Sequence, residues 1–300
     1  MSGPAARIQA QAKLNLYLRI LTREQSGYHS IETIFHRVEL ADEVTLHVEE
    51  DELRTIDVQG ADVGPVESNL AWRAAVAYQE EAGWPRGFTI ELDKKIPVAA
   101  GLGGGSADAG AVLRILDSLA RTPLGQRKLL AIAASLGTDV PFLVSREVMA
   151  LAWGRGEHML GLSPLPQRDV LLVTPDFHVD TQEGYDWIDA DRQADGDPMR
   201  YSASDLLLIT EQMLTSWQSV ARLSRNDFIA SVSQRHPQVT ELLDAFKDTG
   251  SLLCSMTGSG STLFGIYDPL PAPTALGAFS GTTMNPTRTA DKVVQPVRIG

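Results

Sequence analysis

The 300-residue chain has a single cysteine, Cys254. One thiol cannot form an intrachain disulfide or a cysteine zinc cluster. It lies in the apolar run Ser251-Leu252-Leu253-Cys254, which suits a buried structural thiol better than a reactive one. No window approaches about 18 consecutive apolar residues, and the segment from Met1 to Ala12 has no apolar core of signal-peptide length. The expectation is therefore no membrane span and a reducing, cytoplasmic setting. Basic residues are scarce: 26 Lys and Arg against 38 Asp and Glu leave a net charge of −12. Such a balance disfavours broad contact with nucleic acid or with an anionic membrane surface. A small anionic ligand remains compatible, because a few local cations and backbone N–H groups suffice to hold one.

What is present is the composition of an ordinary globular protein, with 43% hydrophobic and 21% charged residues. The length suits two packed domains, placed at 1–155 and 156–300. Leu14, Leu16, Leu18 and Ile20 alternate with Lys13, Asn15, Tyr17 and Arg19, so the first strand has an apolar and a polar face. A turn at Ser26-Gly27 follows. A strand is expected where Ile34, His36, Val38 and Leu40 alternate with Thr33, Phe35 and Arg37, then another through Val44, Leu46 and Val48, and a short one at Ile56 and Val58. Helical spacing spans Asn69 to Glu81 with Gly83 as its stop, starts again at Ser106, and runs from Gln126 to Leu136. Phe88, Ile90 and Leu92 alternate between the first two helices. Later, Asp189 to Arg200 reads as an exposed loop, with helices from Ala203 to about Val220 and from Pro237 to Phe246. Leu252 to Cys254 and Leu263 to Tyr267 flank a turn at Gly258-Ser259-Gly260. Strands first and helices later give an α+β class.

The most informative stretch is Gly101-Leu102-Gly103-Gly104-Gly105-Ser106, set directly before a helix. Glycine loses more backbone freedom on folding than any other residue, so a run of them needs a use. A helix N-terminus offers unpaired N–H donors and the positive end of a dipole, and absent side chains let an anion approach. Phosphate binding outweighs the alternative of a flexible linker, because linkers seldom join an apolar strand to an apolar helix. A Walker A loop needs Lys after the final Gly, where Ser106-Ala107 stands, and the dinucleotide fingerprint needs Gly at the position of Ser106. The cation must come from elsewhere, and Lys13, Lys94 and Lys95 are available.

Five ordered motifs carry a resemblance. They are Lys13-Leu14-Asn15-Leu16, Gly27-Tyr28-His29, the loop Gly101–Ala107, Leu136-Gly137-Thr138-Asp139-Val140-Pro141-Phe142, and Met256-Thr257-Gly258-Ser259-Gly260-Ser261. Together they resemble the 4-diphosphocytidyl-2-C-methyl-D-erythritol kinases of the GHMP superfamily, from Ala12 to about Tyr267. The glycine loop and the Gly258 turn are general to the superfamily, and the other motifs narrow it. The resemblance implies a two-domain fold: an N-terminal domain like ribosomal protein S5 domain 2 and a ferredoxin-like C-terminal domain, with the active site between them. It implies ATP as donor, Mg2+ to offset triphosphate charge, and the tertiary 2-hydroxyl of a small-molecule acceptor. A homodimer is compatible with it.

Residue by residue, Asp139 suits either a helix N-cap or a general base, and the resemblance implies the base. Lys13 taken alone reads as a solvated strand lysine; the resemblance pairs it with Asp139. Asn15, on the same face, is implied as a substrate contact. Tyr28 and His29 could simply cap a turn, and the resemblance implies contact with cytidine, with Thr181 and Tyr185 on the substrate as well. Asn69 reads as a helix cap and is implied to reach adenine. Lys94 is implied to add charge at the ATP phosphates, and Asp108, two residues into the helix, to stand near nucleotide. No carboxylate pair in the sequence announces magnesium ligands. Ser26 stands where the family usually has Asp, and Thr257 where it usually has Ser. The rivals are another GHMP kinase, acting on mevalonate or homoserine, and a non-catalytic ligand sensor, which should have lost Lys13 or Asp139.

Overall fold

The computed structural model describes residues 3–194 and 209–299. Two long strands, β1 (Ala5–Arg23) and β2 (His29–Glu49), pair antiparallel around a turn in which Gly27 adopts φ 87°. The two segments expected along β2 are one continuous strand. The polar interruption at Asp42 does not break it, because that carboxylate is buried and paired inside the protein. The second half of β2 pairs with β4 (Gly87–Asp93), and β3 (Arg54–Gln59) joins β4 in parallel. The first half pairs with β5 (Met149–Gly154), which carries β6 (His158–Leu162) on its other side. The far edge of β1 takes the last strand, β11 (Val297–Ile299), so sheet membership groups β6 and β11 with the first sheet.

Helices α1 (Leu70–Ala82), α2 (Gly104–Leu119), α3 (Gln126–Leu136) and the short α4 (Val140–Val144) pack with this sheet. Asn69 caps α1 and Gly83 ends it at φ 65°, as the sequence pattern requires. Small residues let the helices approach closely. A Cβ on Gly110 of α2 would lie 2.8 Å from the backbone of Leu143, so glycine there sets how near α4 can come.

The second sheet contains β7 (Asp169–Thr174), β8 (Leu253–Met256), β9 (Leu263–Tyr267) and β10 (Thr283–Arg288) in the order β10-β7-β9-β8, all antiparallel. In chain order this is fourth, first, third, second, the arrangement of a ferredoxin-like sheet. Helices α5 (Thr181–Ala194), α6 (Trp217–Leu223), α7 (Phe228–Arg235) and α8 (Gln238–Asp248) fall between β7 and β8. Alternation along the strands divides the sheet between two cores. Val170, Leu172, Phe264 and Ile266 join the core of the first sheet, while Leu171, Val173, Leu263 and Tyr267 pack against α7 and α8 residues such as Phe228, Val232 and Phe246. A shared core fixes the two sheets against each other, and the cleft lies where their glycine turns meet.

Two expectations change. The polar segment from Asp189 continues α5 as far as Ala194, and 195–200 lie outside the described residues. Only Gly184 and Ile188 of α5 are buried, so its apolar periodicity is faint. The helix expected from Ala203 to Val220 falls partly outside the described residues; from 209 onward the chain forms a 3₁₀ turn at Glu211–Leu214 and then α6. No helix among the described residues is long and apolar enough to cross a membrane.

Candidate active site

A cleft of about 560 Å³ opens between the glycine loop, the Gly258 turn and the start of α5. The loop owes its path to positive φ at Gly101 and Gly103, the latter at the N-cap of α2. The helix therefore begins at Gly104, two residues before the expected start. A Cβ on Gly101 would sit 2.1 Å from the Thr257 carbonyl oxygen, so the two glycine turns lie in direct backbone contact. The Thr257 hydroxyl donates to the Gly101 carbonyl at 3.0 Å, tying one turn to the other. Gly101, Gly103, Gly104, Gly105 and Ser106 line the cleft. Leu102 does not; it is buried, and its carbonyl accepts the Lys13 N–H at 3.0 Å.

Lys13 is only 2% exposed, so the polar face of β1 looks into the protein and not into solvent. Its ammonium donates to Asn15 Oδ1 at 2.7 Å and lies 3.2 Å from Asp139 Oδ2. Asp139 occupies the N-cap position of α4 but makes no capping bond, which leaves its carboxylate to the cleft and to Lys13. Asn15 lines the cleft with its amide committed to the protein. Its Oδ1 also accepts from the Gly258 N–H at 2.9 Å, and its Nδ2 donates to the Thr33 hydroxyl at 2.8 Å.

Lys94 lines the cleft beneath the loop, with its ammonium bonded to Asp42 and, at 2.6 Å, to Asp108. Asp42 escaped the sequence reading. Its Oδ1 accepts the backbone N–H groups of Lys95 and Ile96 at 2.6 and 2.8 Å, anchoring the approach to the loop. The available signal was a carboxylate set within the alternating apolar run from Val38 to Val48. One ammonium faces two carboxylates here. Asp42 is fully bonded, whereas Asp108 Oδ1 is buried without a partner. Burial, opposed by Lys94 and reinforced by Asp42, pushes the Asp108 carboxyl up to about 7. Lys94 is raised: burial opposes its charge, and the attraction of Asp108 and Asp42 outweighs it. Asn69 both caps α1 and lines the cleft; its Oδ1 takes the Ala71 N–H at 2.9 Å, leaving the Nδ2 donors uncommitted.

Across the cleft, the Thr181 hydroxyl bonds that of Ser259 at 3.1 Å. The Tyr185 ring stacks on His29 with centroids 4.6 Å apart and packs edge-on to Phe228. Burial, then the nearby charge of Asp139, pushes the Tyr185 hydroxyl up to about 12. His29 lies behind Tyr185, its Nε2 2.9 Å from Asp189 Oδ1. Tyr28 is 56% exposed, away from the cleft lining, with the Arg155 guanidinium 4.3 Å over its ring. The cleft thus gathers Lys13, Asn15, Asn69, Lys94, Asp108, Asp139, Thr181 and Tyr185 with the loop. Leu102, Tyr28 and His29 stand outside its lining. No group of three or more His, Cys, Asp or Glu residues that could hold a metal occurs among the described residues.

Chemically, the cleft combines a backbone anion cradle with an ammonium–carboxylate pair, the parts needed to hold a phosphate and take a proton from a nucleophile. The GHMP kinases N terminal domain matches residues 69–147 and the GHMP kinases C terminal domain residues 204–282. The 4-diphosphocytidyl-2-C-methyl-D-erythritol kinase of Geobacter sp. (strain M21) is 35% identical, over 87% of this chain and 89% of the relative. That of Chlorobaculum tepidum is 34% identical, over 93% and 96%. A crystal structure of 4-(cytidine 5'-diphospho)-2C-methyl-D-erythritol kinase superposes with a TM-score of 0.74 at 28% identity, covering 95% of this chain and 99% of the other. The chain belongs to the 4-diphosphocytidyl-2-C-methyl-D-erythritol kinase family of GHMP kinases.

Proposed function

We propose that this protein transfers the γ-phosphoryl group of ATP to the 2-hydroxyl of 4-diphosphocytidyl-2-C-methyl-D-erythritol, in the non-mevalonate route to isoprenoids. The observation that carries the reading is the Lys13–Asp139 pair, 3.2 Å apart in the same cleft as the glycine loop. The loop N–H groups cradle the phosphates, and the Nδ2 donors of Asn69 face the base end of the nucleotide. Asp139 accepts the acceptor hydroxyl's proton as that oxygen attacks. Lys13 offsets charge gathering on the transferred group, and Asn15 holds the ammonium in place. The free oxygen of Asp108 and the hydroxyl of Ser106 fit a hydrated magnesium ion that arrives mainly on the triphosphate, as this ion prefers. When bound, that ion neutralises phosphate charge. Tyr185 and Thr181 take the acceptor, with His29 behind Tyr185; Tyr28, outside the cleft lining, is assigned to the cytidine end by the family resemblance alone. The partner is a small molecule and not a nucleic acid, and the setting is the cytoplasm.

The rival readings share the loop and differ in the acceptor. Steady-state phosphorylation of the cytidylyl substrate, mevalonate and homoserine separates them. The expected result is a kcat/KM for the cytidylyl substrate at least about a thousandfold above the other two, because polar groups built for an absent cytosine would go unpaired. Comparable turnover of mevalonate or homoserine contradicts the reading.

A further inference from the structure

Lys13 and Arg37 are direct cross-strand partners in the β1–β2 ladder, and both side chains are buried. Two like charges placed opposite each other on one sheet are unfavourable unless each finds its own counterpart. Here the short helix α4 supplies both. Asp139, at its N-cap, meets Lys13. At its other end the Arg37 guanidinium donates through Nη2 to the carbonyls of Phe142 and Leu143 at 2.8 and 3.0 Å, and through Nε to that of Glu147 at 2.9 Å. These carbonyls belong to the last turn of the helix and the segment just after it; that of Phe142 also accepts from the N–H and hydroxyl of Ser145, so Arg37 ties down a helix end that is already capped. The fork geometry of arginine satisfies several of them at once, which lysine cannot do.

The space between the two cations is filled by stacked rings. The Arg37 guanidinium lies 4.9 Å from the Phe142 centroid, Phe142 stacks on Phe35 at 4.9 Å with planes 19° apart, and the Lys13 ammonium lies 5.6 Å from the Phe35 centroid. Phe35 and Phe142 are fully buried. A cation over a ring face is attracted by the ring's quadrupole, and a rigid ring fixes distance in a way a flexible aliphatic chain does not.

We infer that Phe35 and Arg37 are positioning residues for phosphoryl transfer. Arg37 fixes the helix that carries Asp139, and Phe35 with Phe142 sets where the Lys13 ammonium rests against it. This rests on the proposed roles of Lys13 and Asp139. Neither Phe35 nor Arg37 lines the cleft, so neither is a direct substrate contact.

The test uses Phe35→Leu and Arg37→Lys, with Asp139→Asn as reference, each measured at a known folded fraction. Phe35→Leu keeps an apolar side chain of similar bulk and removes the ring. It is expected to stay folded, to lower kcat about tenfold, and to leave KM for ATP and for the acceptor within about twofold, because a small misplacement of reacting groups affects the chemical step. Arg37→Lys is expected to lower kcat at least as much. In a Lys13→Met background, Phe35→Leu should add less than about a twofold further loss, since there is no ammonium left to misplace. A merely structural role would lower thermal stability, leave kcat per folded molecule unchanged, and add its effect independently of Lys13. If Asp139→Asn is nearly inactive while Phe35→Leu keeps wild-type kcat, the positioning role is overturned, even should Arg37→Lys fail to fold. If Asp139→Asn itself keeps full activity, the reading of the pair fails first, and the positioning role goes with it.

Discussion

Asp139→Asn is expected to lower kcat by between about a hundredfold and ten-thousandfold, the range that a positioned general base contributes. KM for ATP should stay within about threefold, because the proposed phosphate contacts are backbone N–H groups of the glycine loop, which the substitution leaves in place. Stability should fall, because the buried Lys13 ammonium loses its carboxylate partner, but the fold should hold. Asn is close to isosteric, and Asp139 makes no capping bond that could be lost. Lys13 keeps its bond to Asn15 and its place over Phe35. The contrast between an intact fold with normal nucleotide affinity and a collapsed kcat distinguishes proton transfer from a helix-cap role. A cap residue would lose stability alone and leave kcat unchanged. Steady-state kinetics beside thermal unfolding of the same preparation provides the check.

Lys94→Met carries the second large effect, on folding. The variant leaves Asp42 and Asp108 buried side by side with no cation, and removing one partner from a buried ionic cluster costs about 3–5 kcal/mol. Methionine fills similar space, so the loss reflects charge and not a cavity. The pH dependence has a definite sign. Asp108 in the folded protein titrates at about 7, above its ordinary 3.8. The folded state therefore holds a proton that the unfolded chain has released, and this contribution, fully present below the unfolded value, is lost as pH rises through 7. Without Lys94 the second carboxylate is harder still to ionise, so the gap between variant and wild type should widen from pH 6 to pH 8. Denaturant unfolding at both values measures it. A loss below about 1 kcal/mol that is flat with pH would sink the idea that this cluster holds the loop.

Local pattern made part of this site legible and concealed the rest. Alternation put Lys13 and Asn15 on the polar face of β1 correctly, yet could not tell that the face is covered, because the cover comes from α4 and from the Gly258 turn, far along the chain. The same blindness hid β2. Phe35 and Arg37 alternate with Ile34 and His36, and nothing local says that both sets are buried. Asp42 looked like a break in a strand because its partner, Lys94, is distant in sequence. Capping chemistry located Asn69 and Asp139, and it was right for the first in full: Asn69 caps while its amide donors remain for the cleft. For Asp139 the position was a cap and the carboxylate was not, a distinction that only hydrogen-bond geometry draws. The aromatics proposed for the substrate came from motif alone, and the arrangement separates them: Tyr185 lines the cleft, His29 backs it, and Tyr28 stands outside beneath Arg155.

The phosphorus NMR spectrum of the product tests the central claim most directly, after incubating the protein with ATP and 4-diphosphocytidyl-2-C-methyl-D-erythritol. A phosphate on the tertiary 2-hydroxyl sits on a carbon with no hydrogen, so the new monoester signal should show no three-bond proton splitting, and it should grow in step with ADP. A split monoester signal would place the phosphate on a primary or secondary hydroxyl, and no new monoester would mean the cleft does not act on this acceptor; either result contradicts the account.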